Sequence, residues 1–332
     1  MHTPNSEVLD THAAAFIPRI RNLCWAWNFF LLHESQAFRT SLTVKMLPHI
    51  IAPNLNIPVV PLTQDSFAPF GTVVENPANA TGRSKELKVV KANQGSALKY
   101  IDVSHVSNFY HLAPSSKPAR AVMNMFVCSP RQLESASSGS DIGQEQKSKF
   151  PVQILERHPF TPQTFVPLGL AADDAATVYL VIVAPTLPFP SKTTDRPLPY
   201  PDHAPRRRRS LTEILSRAQP SPFNDSDGSS SSSDSSPGPQ LPKGPGEPDL
   251  SRAHAFLANG SQAVTYGPGT WHAPMVVLGA KAIDFVVVQY ANDVGLEDVQ
   301  EIEIRSESGS GGLNVVIENA RLGRQLQERA KL

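Results

Sequence analysis

Cysteine is nearly absent from this chain of 332 residues, which contains only Cys24 and Cys128. Two cysteines make neither a disulfide framework nor a thiolate zinc site, and they suit a reducing compartment. Net charge is also lacking, because 30 lysine and arginine residues balance 30 aspartate and glutamate residues. Such a chain has no overall field that attracts nucleic acid or anionic lipid, so we expect neither as a partner.

Long hydrophobic runs are missing as well. The nearest is LCWAWNFFLL (23–32), which follows two arginines in the charge order of a signal peptide but starts late and includes Asn28. It is too short to span a bilayer, so we expect no membrane segment. Met46 begins a segment that reads more like the start of a protein. We therefore expect residues 1–45 to lie outside the fold and residues 46–332 to form one domain.

A proline- and serine-rich segment, residues 191–250, interrupts that domain. It contains RRRR at 206–209, an unbroken serine run at 229–233 and few large apolar residues. Burial cannot offset the entropy of ordering such a segment, so we predict a disordered insertion. A smaller polar loop spans 134–149.

The remaining sequence is rich in short strand-like segments with turn signals between them. Helical periodicity is scarce outside residues 62–70 and the last twenty residues. Turns every eight to twelve residues favour an antiparallel β-sandwich or barrel with few helices. The segments form two groups: 121–128, 151–158, 163–169 and 178–185, then 253–260, 262–269, 273–279 and 282–290.

Polar residues occur where these strands should be apolar. Strand side chains alternate between faces, so Glu156 and His158 in QILERHPF share one face. A carboxylate and an imidazole are costly in a dry core but reasonable beside a cavity. In VTYGPGTWHAPM, the Gly-Pro-Gly turn needs its glycines but does not need His272. We therefore expect Glu156, His158 and His272 to face one cavity.

The spacing of these residues resembles the two metal-binding motifs of cupins. Glu156 stands in the place of the first histidine, His158 in that of the second and Gln163 in that of the glutamate, and His272 matches directly. Imidazole and carboxylate groups bind nickel, manganese or zinc, whereas glutamine is a weak neutral ligand. The pattern predicts a divalent metal held by Glu156, His158, Gln163 and His272.

Longer stretches resemble the ureidoglycolate lyases of allantoin (purine) catabolism in their fungal form. The matching stretches are PLTQDSFAPFGTVVE, ANQGSALKY, MNMFVCSP, ILERHPFTPQTFVPL, YLVIVAP, RAHAFLANGSQAVTYGPGTWHAPM and DFVVVQY. Ala273 departs from bacterial members, which often carry a second histidine there. The resemblance implies a mainly β, cupin-like barrel (a double-stranded β-helix), a homodimer, and cleavage of ureidoglycolate to glyoxylate and urea.

The same resemblance implies a division of roles. Glu156, His158 and His272 would supply the acid and the base or bind the metal. Arg157 points to the opposite face by alternation and reaches the substrate only if a bulge turns it inward. Trp271 is either a substrate platform or core packing. The expected substrate-binding residues are Asn93, Gln94, Gly95, Tyr100, Asn124, Arg157 and Trp271, with Lys99 as a further candidate.

Three alternatives stay open at this point. An amidohydrolase acting on the same substrate would release ammonia in place of urea. A cupin-like binding module would keep the fold without the chemistry, although the polar site residues argue against decay. A metal-dependent cupin oxygenase would need stronger ligands than Gln163.

The final residues, Ala330-Lys331-Leu332, form a close variant of the Ser-Lys-Leu peroxisomal address. We therefore expect the protein in the cytoplasm or the peroxisome.

Overall fold

The structure, a computed structural model, describes residues 47–78, 87–135, 147–174, 176–188, 240–307 and 312–318. The chain divides into residues 1–45 and 46–332, and every described residue belongs to the second unit. The predicted extension, residues 191–239 of the predicted insertion and the tripeptide Ala330-Lys331-Leu332 lie outside the described residues. The cytoplasmic or peroxisomal location stays a prediction. None of the described helices is long and apolar enough to cross a membrane.

Short strands make up most of the described structure. Two four-residue helices, α1 (Gln64–Phe67) and α2 (Gly295–Asp298), and three single 3-10 turns accompany them. The strands are β1 (His49–Ala52), β2 (Leu55–Pro61), β3 (Gly71–Val74), β4 (Val89–Ala92), β5 (Ala97–Tyr100), β6 (Arg120–Cys128), β7 (Glu134–Ser135), β8 (Lys147–Pro151), β9 (Ile154–Arg157), β10 (Gln163–Leu168), β11 (Thr177–Ala184), β12 (His254–Ala258), β13 (Ala263–Tyr266), β14 (Trp271–His272), β15 (Val276–Gly279), β16 (Ile283–Ala291), β17 (Gln300–Ser306) and β18 (Leu313–Glu318). The 3-10 turns are Asn93–Gly95, Tyr110–Leu112 and Leu250–Arg252.

These strands form three sheets. The large sheet has 11 strands in the order β1-β17-β9-β14-β11-β12-β2-β18-β8-β7, with β15 also paired to β11. The small sheet has 5 strands in the order β3-β13-β10-β16-β6, and β4 and β5 form a separate hairpin. Most pairs are antiparallel, while β1–β17, β2–β12 and β2–β18 are parallel. The prediction of a mainly β, cupin-like fold with few helices is confirmed.

Strand β11 separates two apolar cores. Every residue of its run TVYLVIVA is buried. Val178, Leu180 and Ile182 face a core within the curled large sheet, and Tyr179 and Val181 face the core between the two sheets. A strand buried on both faces reads as a continuous apolar run, since neither side meets water. This strand fixes the position of its neighbour β14, which carries His272.

The helical periodicity expected in the last twenty residues is wrong for 313–318. Those residues form β18, which pairs with β2 and β8. Leu313, Val315 and Ile317 are buried in the core of the large sheet, and their spacing has the period of two that strands require. Burial of that face within the sheet decides the conformation of this short segment.

The predicted insertion over 191–250 also extends too far. Residues 240–250 pack on the domain: the Gln240 side chain donates to the Ala68 carbonyl at 3.0 Å, and Leu250 is buried. The Arg157 guanidinium donates to the carbonyls of Gly244 at 2.8 Å and Gly246 at 3.1 Å. Hydrogen bonds with the buried Arg157 guanidinium hold residues 240–250 on the domain. Because these bonds use backbone carbonyls, the scarcity of apolar residues wrongly predicted disorder here.

We predict that Gly246→Ala destabilises the fold and that Gly244→Ala does not. A Cβ at Gly246 would lie 2.0 Å from the Leu187 carbonyl oxygen, whereas a Cβ at Gly244 would meet nothing within 4 Å. Forcing backbone apart in a packed region costs about 1–3 kcal/mol. Urea denaturation of both variants measures the difference, and equal free energies of unfolding would show that residues 240–250 do not brace the domain.

Candidate metal-binding active site

The two site histidines are brought together by one turn and one strand pair. Strand β14 lies antiparallel to β9, and His272 is directly opposite Glu156. His158 follows β9 on the same face as Glu156. The Gly-Pro-Gly turn leads into β14, and Gly269 adopts a φ of 74°, which favours glycine. Its N–H donates to the His158 carbonyl at 2.8 Å, so the turn is fastened to the strand it faces.

Glu156, His158 and His272 form a compact cluster between the sheets. One ligand atom from each lies within 4.8 Å of the others. His272 Nε2 lies 3.5 Å from Glu156 Oε1, and the centroids of the two imidazole rings are 5.7 Å apart. Tyr266 stacks flat beneath His272 at a centroid distance of 4.0 Å. This packing fixes the plane of the His272 ring.

Both imidazoles use Nδ1 to bind a backbone carbonyl. His158 Nδ1 lies 2.6 Å from the Asp298 carbonyl oxygen, and His272 Nδ1 lies 2.9 Å from that of Thr270. A carbonyl only accepts, so each Nδ1 must carry the proton. In a neutral ring, each Nε2 is then a bare lone pair. This is how carbonyls orient histidines that bind metals.

The orientation of Gln163 adds a fourth acceptor. Its Nε2 donates to Gln289 Oε1 at 2.8 Å, which turns Oε1 toward His272 Nε2 at 3.0 Å. Among the described residues, His158 Nε2 is buried without a hydrogen-bond partner. Two imidazole nitrogens, one carboxylate and one amide oxygen therefore converge without a donor among them. Converging buried acceptors are stabilised by a cation, and this donor set fits a divalent transition metal.

Electrostatics favour the protonation states that a metal site requires. Burial holds the pKa of His158 below its ordinary value, which keeps the ring neutral. Burial alone would raise the pKa of Glu156, but the closeness of His272, together with the positive charge that either imidazole takes on when protonated, lowers it. The lowered pKa favours the ionised carboxylate, the form that can hold either a proton shared with His272 or a metal ion in its place.

A β-barrel of this kind with two histidines and a glutamate in its interior defines a cupin-like protein with a candidate metal centre. Residues 54–309 match the family model described as ureidoglycolate lyase. The ureidoglycolate lyase of Schizosaccharomyces pombe is 30% identical over 239 residues, 72% of this chain and 86% of the relative. That of Saccharomyces cerevisiae is 31% identical over 230 residues, 69% of this chain and 83% of the relative. The chain belongs to the ureidoglycolate lyase family.

A bacterial relative shows how far the similarity extends. The ureidoglycolate lyase of Burkholderia mallei is 24% identical over 235 residues, 71% of this chain and 82% of the relative. The family resemblance inferred from the sequence motifs is therefore confirmed.

Arg157 and Trp271 face away from the candidate metal centre. Arg157 is buried, donates from Nε to Gln300 Oε1 at 2.8 Å and lies 4.5 Å from the centroid of the Trp271 ring. Trp271 is fully buried in the core of the large sheet and donates to the Gly246 carbonyl at 3.1 Å. No bulge turns Arg157 inward, because regular pairing of β9 with β17 includes it. Their expected contact with substrate is corrected to a bracing role on the opposite face.

The remaining expected substrate-binding residues lie on other elements. Asn93, Gln94 and Gly95 form the exposed 3-10 turn of the β4–β5 hairpin, and Tyr100 ends β5. Asn124 is exposed on β6, the edge strand of the small sheet. Their assignment to substrate binding stays a prediction.

Sequence reasoning missed Glu301. It lies directly opposite Glu156 in the pairing of β9 with β17. Burial raises its pKa, and the charge of Glu156 raises it further. The alternation of charged and apolar residues in QEIEIRS placed Glu301 on a polar face, but nothing in the sequence indicated that β17 pairs with β9.

The helix α2, whose last carbonyl holds His158, is itself held by a buried carboxylate. Glu297 accepts hydrogen bonds from the Ser115 N–H at 2.7 Å, the Ser115 hydroxyl at 2.6 Å and Asn292 Nδ2 at 2.7 Å. Burial opposes its ionisation, but these donors outweigh that effect and lower the pKa of Glu297 below its ordinary 4.5. The ionised form therefore stabilises the folded state.

We predict that Glu297→Gln lowers the free energy of unfolding at pH 7 by about 1–3 kcal/mol, since an amide cannot accept from all three donors. The pKa is lower in the folded chain than in the unfolded one. The contribution is therefore complete above the ordinary carboxyl pKa and disappears as the pH falls through the lowered value.

Denaturant titrations from pH 7 to pH 3 measure the free energy of unfolding of the wild type and of Glu297→Gln. The two values should converge as the pH falls. The matched control is Glu303→Gln, where a half-exposed carboxylate pairs with Arg305 on the surface. Its effect should stay within about 0.5 kcal/mol. A Glu297→Gln difference that widens in acid would contradict the assignment.

Proposed function

We propose that this protein is a ureidoglycolate lyase, a carbon–nitrogen lyase that cleaves ureidoglycolate to glyoxylate and urea in allantoin degradation. The family match gives the reaction class, and the relatives named above are ureidoglycolate lyases. The observation that supports a working site is the convergence of four acceptors with ordered tautomers. A decayed binding module would have no reason to retain them.

The reaction is an elimination that needs no water. The substrate carbon carries a hydroxyl, a hydrogen, a carboxylate and the urea nitrogen. A base removes the hydroxyl proton, the C=O bond forms, and the C–N bond breaks with its electron pair passing to nitrogen. An acid then protonates that nitrogen and urea leaves. The site must therefore accept one proton and return one.

Glu156 is the member of the triad best placed to accept the hydroxyl proton. Its side chain is 19% exposed, whereas that of His272 is 1% exposed, so a substrate can reach Glu156 more easily than His272. Its lowered pKa keeps it ionised and able to act as a base. His158 and His272, held by backbone carbonyls, orient the reacting group from the buried side. Positioned proton transfer contributes roughly 10²–10⁴-fold to a rate.

The same atoms would hold nickel, manganese or zinc. Glu156, His158 and His272 would be the principal ligands, with the Gln163 amide oxygen as a weaker fourth. A bound divalent ion would supply Lewis-acid polarisation of the substrate hydroxyl. Since only one ligand carries a negative charge, the occupied site would stay cationic. A cationic site favours an anionic substrate.

We also propose that the chain is a homodimer formed through the outer surface of the small sheet. On this surface, apolar residues lie side by side in register on β6, β16 and β10. Met123 is 72% exposed, Met125 55% and Val127 69%. We call this surface the β6 face. Its apolar members are Met123, Met125, Val127, Val166, Leu168, Val286 and Val288, and the register places Thr164 and Asp284 on the same face.

A second copy is the occupant that best suits the β6 face. Strand β6 is 9 residues long and is the last strand of its sheet among the described residues. After Arg120 it contains none of the charged residues that usually protect an edge strand. With no charged side chain along this edge, the β6 face can pack on the same face of a second copy about a two-fold axis, which makes the interface self-complementary. A contiguous group of exposed apolar side chains is typical of protein–protein contacts.

The test of activity is release of urea and glyoxylate from ureidoglycolate by the purified protein. We expect equal amounts of the two products. We expect His158→Ala and His272→Ala to lower kcat/KM by at least about 10²-fold and to lose bound metal in elemental analysis. His254→Ala, which changes an exposed histidine on β12, is the matched control. Ammonia in place of urea would make the protein an amidohydrolase, and no turnover with added divalent metal would leave a binding protein.

The test of assembly is light scattering after size-exclusion chromatography. Met125→Lys places a charge in the centre of the β6 face and should convert the dimer to a monomer at micromolar concentration. Leu98→Lys changes another exposed apolar residue, 61% exposed on the hairpin, and should leave the dimer intact. A monomeric wild-type protein, or a Met125→Lys variant that stays dimeric, would rule out the β6 face as the interface.

A further inference from the structure

His158 is oriented by a backbone carbonyl at the end of a very short helix. The Asp298 carbonyl oxygen accepts from His158 Nδ1 at 2.6 Å, and Asp298 is the last residue of the four-residue α2. A single helical turn has little stability of its own. The position of this carbonyl therefore depends on contacts that hold α2 from outside.

One of those contacts reaches the same residue through its side chain. The Tyr110 hydroxyl donates to Asp298 Oδ1 at 2.7 Å and also lies 3.1 Å from the Tyr290 carbonyl oxygen. The Asn292 N–H donates to the same Oδ1 at 2.8 Å. The carboxylate of Asp298 is thus fixed by Tyr110 and Asn292 while its carbonyl fixes His158.

Tyr110 is itself held firmly. Its side chain is 2% exposed, and its ring packs against Phe160 at a centroid distance of 5.7 Å. Burial, followed by the hydrogen bond to Asp298, raises the pKa of Tyr110 far above its ordinary value, so the hydroxyl stays protonated. A protonated hydroxyl against a carboxylate is a charge-assisted donor, which is stronger than a neutral pair.

We propose that Tyr110 is a positioning residue that orients His158 through Asp298. The proposal rests on the function proposed above. It adds that the direction of His158 Nε2, and with it the geometry of the metal-binding cluster, is set by a tyrosine hydroxyl two hydrogen bonds away. No sequence spacing links Tyr110 to His158, because Tyr110 lies in a 3-10 turn outside the strands that carry the cluster.

Loss of the hydroxyl has a defined consequence. Without it, the Asn292 N–H is the one donor to Asp298 Oδ1 that remains among the described residues, and α2 can shift relative to β9. The His158 ring then loses its fixed acceptor and can exchange tautomers, which removes the lone pair at Nε2 for part of the time. Groups that orient metal ligands typically change metal affinity by 10–100-fold when they are removed.

The experiment compares Tyr110→Phe with Tyr179→Phe. Tyr179 is fully buried in the core between the sheets, and its hydroxyl donates to the Gln262 carbonyl, so the control deletes an equivalent hydrogen bond. It contacts neither α2 nor the cluster in any described hydrogen bond. Zinc affinity is measured by competition with a chromophoric chelator. We expect Tyr110→Phe to weaken zinc binding 10–100-fold and Tyr179→Phe to leave it unchanged.

A second measurement reports on His158 without metal or turnover. In the ¹⁵N-histidine spectrum of the metal-free protein, His158 should show a protonated Nδ1 and a bare Nε2. Tyr110→Phe should move both nitrogens toward a tautomer average, while Tyr179→Phe should keep the wild-type pattern. If the wild type binds no zinc, the proposed metal site fails but this spectrum still tests Tyr110. An unchanged spectrum in folded Tyr110→Phe would overturn the inference.

Discussion

The site depends on one constraint: each histidine donates its Nδ1 proton to a backbone carbonyl. Those two bonds, from His158 to Asp298 and from His272 to Thr270, decide the direction of both Nε2 lone pairs. Neither carbonyl can accept from a rotated ring, so the rings are locked in orientation and in tautomer. The convergence of acceptors and the proposed chemistry both follow from this arrangement.

The fold supplies those carbonyls from opposite sides of the cluster. Thr270 ends the Gly-Pro-Gly turn, and β11, buried on both faces, holds the strand that follows it. Asp298 ends a short helix outside the sheets. On the far face of β9, Arg157 binds Gly244 and Gly246 and packs on Trp271. Strand β9 thus carries the polar cluster on one face and the buried Arg157 on the other. The contacts of Arg157 hold β9 in place and so fix the position of Glu156 and His158.

The sequence was sufficient for what depends on periodicity and local motif. Alternation placed Glu156 and His158 on one face. The Gly-Pro-Gly turn singled out His272 as a site residue, and apolar runs located the central strands of the sheets. It was not sufficient where long-range contacts decide. β18 was expected to be helical, and residues 240–250 were assigned to the insertion. Alternation did place Arg157 on the opposite face, but the sequence left open whether a bulge turns it inward and whether Trp271 contacts substrate or packs in the core. For β18 the deciding contacts are with β2 and β8, and for residues 240–250 they are with Ala68 and Arg157; these contacts join segments more than fifty residues apart.

Exposure within the cluster adds a final physical point. The histidines are almost completely buried, whereas Glu156 retains access to solvent. Buried imidazoles cannot exchange protons rapidly with water, so proton traffic must pass through the carboxylate. Orientation is therefore assigned to the groups that stay fixed, and proton transfer to the one group that is charged and reachable. This separation accounts for the backbone carbonyls that hold the two histidines, while the acidic side chain of Glu301 lies opposite Glu156 on the neighbouring strand.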